Sequence, residues 1–180
     1  MVLRKTIIPF LAAGLMLTGL VAGTGFADED HRERGERHSR YMPKVAENAT
    51  YKQECSSCHF LYLPGLLPAR SWEAVMNNSD KHFGENLGLD ENTKKEITSF
   101  LKNNSAERTD TEWSNKIMRS VGSATPERIT EVPWIKKEHR RIKPEVFQRP
   151  SIGSFSNCGA CHTQGAQGNF EEDAVSIPKK

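Results

Sequence analysis

The sequence predicts a mainly α-helical chain with long loops, arranged as two small lobes. Three observations carry that reading. Several stretches set apolar residues at helical spacing between capping residues. No run alternates apolar and polar residues as a half-buried strand would. One short cysteine–histidine motif occurs twice, once in each half of a 180-residue chain.

The elements follow in order. Residues 1–27 read as an export signal: Arg4 and Lys5, an apolar run from Ile7 to Val21 interrupted by Pro9 and Gly14, then Gly25 and Ala27 ahead of a cleavage point. A retained anchor is the alternative, but the run is short for a span of about 20 residues and is broken. No retained membrane span is expected. Residues 28–48 form a charged arm expected to be disordered, with order beginning near Tyr41 or Asn48. A first lobe, 49–108, opens with Cys55-Ser-Ser-Cys58-His59 and the apolar loop Leu63–Pro68. Ser71 can cap a short helix carrying Trp72, Val75 and Met76. Asp90 can cap a longer one with Ile97, Phe100 and Leu101 on one face, closed by Asn103-Asn104.

The second lobe, 109–180, begins with an amphipathic stretch through Trp113, Ile117, Met118 and Val121, ending at Gly122. Thr125-Pro126 and Val132-Pro133 read as helix starts. The second leads through Trp134, Ile135, His139 and Ile142 until Lys143-Pro144 stops it. Cys158-Gly-Ala-Cys161-His162 and a Gly-rich tail complete the chain.

Charge and composition exclude some functions. There are 25 basic and 23 acidic residues, and loss of Arg4 and Lys5 with the signal leaves 23 of each. A formally neutral chain gives nucleic-acid binding no support. Hydrophobic residues make up 36% of the chain. Two half-domains of that composition are marginal alone, so a large apolar group buried in each would supply core.

Cysteine usage points to that group. Four cysteines in a small exported protein usually mean two disulfides, but here all four fall in two identical Cys-x-x-Cys-His motifs. In a helical turn, Cys55 and Cys58 share one face, where two sulfurs can meet two vinyl groups on a haem edge. His59 then projects under the ring toward the iron, and the small residues between the cysteines let the backbone lie close. Cys158, Cys161 and His162 repeat the arrangement. The pattern reads as covalent attachment of two haems c, each bringing two propionates. Zinc sites usually bring their cysteine pairs closer in sequence than the 100 residues between Cys58 and Cys158. A dithiol redox pair gives no reason for a histidine after both motifs.

Each iron has a second axial position. Of six histidines, His31 and His38 lie in the charged arm, leaving His82 and His139 among apolar residues. His82 lies 23 residues after His59, and His139 lies 23 before His162. The simplest assignment gives His82 to the first haem and His139 to the second, although spacing also permits a crossed pairing. Met42, Met76 and Met118 are the rival ligands; Met76 and Met118 read as packing residues of their helices.

These residues also resemble the dihaem cytochrome c family. The resemblance runs through Glu54–His59, Tyr62, Pro64–Pro68, Arg70-Ser71-Trp72 and Met76, then His82–Asn86 and Leu89-Asp90. It continues through Pro133-Trp134, His139 and Asn157–Thr163, covering about Tyr51 to Pro178. It implies a first lobe similar to a class I cytochrome c, a less regular second lobe, and bis-histidine iron in both. It implies electron transfer with a small monohaem oxygen-binding cytochrome or a membrane cytochrome b as partner. The arm is outside the recognised pattern.

The expectation is therefore a periplasmic electron carrier and not an enzyme, since two six-coordinate irons offer substrate no position. The alternatives are a haem enzyme with one open iron, such as a dihaem peroxidase or an oxygen- or nitric-oxide-handling cytochrome, and a subunit of a larger multihaem complex.

Overall fold

A computed structural model describes residues 44–180. The expected signal, His31, His38, Met42 and the arm up to residue 43 lie outside the described residues. Among those described there are six α-helices linked by short 3-10 turns, and no named strand. They are α1 (Ala49–Cys55), α2 (Ala69–Asn77), α3 (Glu91–Asn103), α4 (Glu112–Val121), α5 (Pro133–His139) and α6 (Pro144–Phe147).

Capping chemistry sets most helix starts. Asn48 accepts from the Tyr51 amide and opens α1. Asp90 accepts from the Asn92 and Thr93 amides at α3, and Thr111 accepts from Ser114 at α4. Pro133 and Pro144 occupy first-turn positions of α5 and α6, where the missing N–H costs nothing. Gly122, with φ 55°, ends α4 in a conformation that a side chain would strain.

Three expectations fail locally. The N-cap of α2 is Pro68, not Ser71; Ser71 lies inside the helix, fully buried. The Pro64–Pro68 loop is itself packed into the core and delivers a rigid start three residues earlier, so no side-chain cap is used. Thr125-Pro126 starts no helix; the chain turns through it into a 3-10 turn at Ile129–Glu131. Helix α5 ends at His139 rather than reaching Lys143, and Pro144 begins α6 instead of stopping α5.

Packing then builds one core. Helices α2 and α3 pair, as do α4 and α5. Trp72 donates from its indole nitrogen to the Pro64 carbonyl at 2.7 Å and fixes the apolar loop under α2. A single buried cluster joins Leu67, Trp72, Ile97 and Leu101 to Trp113, Ile117, Val132 and Trp134. Trp113 and Trp134 meet edge to face, centroids 4.6 Å apart. Burying each large apolar side chain contributes about 1.5–3 kcal/mol, so this shared cluster is the main cohesive term. It leaves both Cys-x-x-Cys-His motifs at its margin.

Candidate haem sites

The first motif begins where α1 ends. Tyr51 is buried, donates to the Tyr62 carbonyl at 2.7 Å and packs on Phe100, which ties α1 and Cys55 to α3. His59 follows, and its Nδ1–H donates to the Phe60 carbonyl at 2.7 Å. A carbonyl can only accept, so the proton sits on Nδ1 and leaves the Nε2 lone pair free. His82 arrives from a different direction, off a 3-10 turn at Ser79–Lys81. Its ring lies stacked over that of His59, centroids 6.3 Å apart and 26° from parallel. Burial, then the charges of His59 and Arg128, hold His82 below the usual imidazole range.

The second motif is a 3-10 turn, Cys158–Ala160, followed by Cys161 and His162. The His162 amide bonds back to the Cys158 carbonyl at 2.8 Å. His139 closes α5 and donates from Nδ1 to the Ile135 carbonyl at 2.8 Å. The rings of His139 and His162 lie 6.0 Å apart, nearly perpendicular at 75°. Burial, then the charge of His139, pushes His162 down to about 4. Both histidines line a cavity of about 450 Å³ with Cys158, Cys161, Trp113 and Phe155.

The structure thus brings His82 to His59 and His139 to His162, and not the crossed pairs. Met76 is buried in the core and Met118 packs against it, as expected for packing residues.

No disulfide joins any of the four cysteines. Burial pushes Cys55 and Cys158 up to about 11 and raises Cys161. A reactive dithiol needs the opposite shift, so the environment disfavours redox exchange. Among the described residues, no group of three or more His, Cys, Asp or Glu is gathered to hold a metal ion.

A haem fits what is present. The first site pairs its imidazoles at a spacing similar to the second's, and the second sets two sulfurs and two facing imidazoles around one cavity with mostly apolar walls. Trp113 Nε1 and His162 Nδ1 are buried there without a hydrogen-bond partner. An indole N–H is donor only, so Trp113 offers a bond to an acceptor seated in the cavity.

Sequence reasoning missed how close the two motifs lie. Tyr62, 5.1 Å from the His59 ring, donates through its hydroxyl to the Ser156 carbonyl at 2.7 Å. That same carbonyl accepts the Cys158 amide at 3.0 Å. A β-carbon on Gly159 would stand 3.2 Å from the Phe60 ring, so the small residue there also admits the other motif. Arg128, stacked 3.7 Å over the Phe83 ring, was missed as well. No local pattern marks either pair, because their partners are distant in sequence.

Two attachment motifs, each facing a second histidine across a ring-sized gap on a helical scaffold, define a c-type cytochrome. The comparisons agree. A family model for dihaem cytochrome c matches residues 51–170. A diheme cytochrome c from Rhodobacter sphaeroides is 39% identical with a TM-score of 0.62, over 70% of this chain and 98% of its own. The diheme cytochrome type c from Shewanella baltica is 34% identical with a TM-score of 0.60, over 75% of this chain and 96% of its own. No curated protein matches the sequence. The chain belongs to the dihaem cytochrome c family and carries two c-type haems.

Proposed function

We propose that this dihaem cytochrome is an electron carrier of the periplasm, with His59 and His82 as axial ligands of the first haem and His162 and His139 of the second. Cys55 and Cys58 would hold the first haem through thioethers, and Cys158 and Cys161 the second. The observation that carries the reading is the spacing of the two ring pairs, 6.3 and 6.0 Å. Two imidazoles bonded from opposite sides at about 2.0 Å per bond put their centroids roughly 6 Å apart.

Bound haem supplies one-electron exchange at iron; the chain's residues set where and at what potential. Two imidazoles without a methionine keep both potentials on the low side. The Nδ1–H bonds of His59 and His139 to carbonyls fix the orientation of those two imidazoles and point Nε2 as the donor atom toward the iron position. Each lobe, 49–108 and 109–180, would carry one motif, the two sharing a core. Export rests on the signal at 1–27, and among the described residues no helix is long and apolar enough to cross a membrane. A membrane cytochrome b as donor and a small monohaem cytochrome as acceptor suit such a carrier.

The ferric spectrum tests the ligand set. We expect low-spin iron at both haems in the wild type. His82→Ala and His139→Ala should each convert one haem, about half the absorbance, to high spin. Low-spin spectra persisting in either variant would remove that histidine from the set. High-spin iron in the resting wild type would favour an enzyme with an open site.

A further inference from the structure

The two distal histidines are held very differently. His139 closes a helix, is bonded through Nδ1 to Ile135, and has Phe155 at 5.1 Å. His82 makes no hydrogen bond from its ring to any described residue. It is the first residue of a tight turn closed by the Glu85 amide on the His82 carbonyl at 3.0 Å. The two central residues, Phe83 and Gly84, have φ of 52° and 107°. Phe83 is the one non-glycine residue with positive φ among those described, and its side chain is 48% exposed. A bulky residue held there is strained, and such strain persists only where the surroundings impose it. Here the surroundings are two ring contacts. Phe83 meets the His82 ring edge to face at 4.7 Å, and Arg128 lies 3.7 Å over its other side.

We infer that His82 is a releasable ligand, and that the first haem is a gated binding site for small neutral diatomic molecules. The inference rests on the ligand set proposed above. When the turn relaxes, Phe83 leaves its strained conformation, His82 Nε2 withdraws, and the incoming molecule takes the position it vacates. No electron or proton is transferred in that exchange. The position is the size of an imidazole and has the Phe83 ring beside it, which suits carbon monoxide or nitric oxide rather than a bulky substrate. Arg128 on Phe83 acts as the latch. The second haem, with its distal ligand anchored by a helix and a hydrogen bond, stays closed.

Carbon monoxide binding to the reduced dihaem protein, followed by stopped flow, tests this. The wild type should bind one equivalent in a slow phase whose rate saturates with carbon monoxide, the signature of prior ligand release. His82→Ala should show one fast equivalent and no slow one. His139→Ala should show one fast and one slow equivalent. Interchanged patterns in the two variants, or no uptake by the wild type, would overturn the inference. Low-spin ferric iron in His82→Ala would instead overturn the ligand assignment, a separate failure.

Two variants outside the ligand set keep the test open if the alanines fold poorly. A side chain at Gly84 meets nothing within 4 Å, so Gly84→Ala adds backbone strain alone. It should raise the apparent affinity for carbon monoxide about 5- to 30-fold. Arg128→Gln should raise it about three- to fivefold by loosening the latch. An unchanged affinity in both would sink the proposal.

Discussion

Single side chains already divide the molecule's chemistry. The four haem-site histidines split into two with carbonyl partners, His59 and His139, and two without, His82 and His162. Each haem would therefore have one imidazole oriented by a hydrogen bond and one without, with the order of proximal and distal reversed between sites. Another orphan lies away from the chemistry. Ser71 is fully buried in α2, and its Oγ has no partner. Ser71→Ala deletes a desolvated hydroxyl that gains nothing, so denaturant titration should find it neutral or more stable by up to about 1 kcal/mol. A loss above that would mean the hydroxyl is bonded in the haem-loaded protein. The motif cysteines and histidines were legible in the sequence because their spacing is local. The hydroxyl's isolation was not, because Ser71 read as a cap and a cap would have been bonded.

Elements were legible where their signals are local as well. Asp90, Gly122 and Val132-Pro133 bound helices as their chemistry predicts, and the apolar periodicity of α3 and α4 marked the faces that became core. Thr125-Pro126 misled because the same dipeptide also opens turns, and only the packing of Ile129 decides between them. The Asp90 cap gives a pH test. Bonds from the Thr93 hydroxyl and amide and the Asn92 amide hold its carboxyl below the usual carboxylate range. A pKa lowered by folding adds stability above the unfolded value of about 3.9, lost as pH falls through the folded value. Asp90→Ala should thus lower the thermal midpoint by roughly 2 to 6 °C at neutral pH. Its difference from wild type should shrink below about pH 4; a difference constant with pH would assign the effect to something other than the charged cap.

The whole molecule is joined by contacts that bridge its two halves. The buried cluster runs from Tyr51 to Ile135, Arg70 reaches the Gly122 and Ala124 carbonyls, and Tyr62 reaches Ser156. None of this is visible in a linear reading, where the two motifs stand 100 residues apart. The Tyr62–Ser156 bond has a consequence in time. Its partners are separated by 94 residues, whereas α2 and α3 need only a short connection to meet. Closing the longer loop costs more chain entropy, so the segment after Ser154 is expected to dock last, onto a half that is already assembled. Tyr62→Phe removes about 1 kcal/mol of hydrogen bonding from that late step. Stopped-flow denaturation should then show unfolding about fivefold faster and refolding nearly unchanged. Slower refolding instead would put the meeting of the two motifs at the start of the folding sequence.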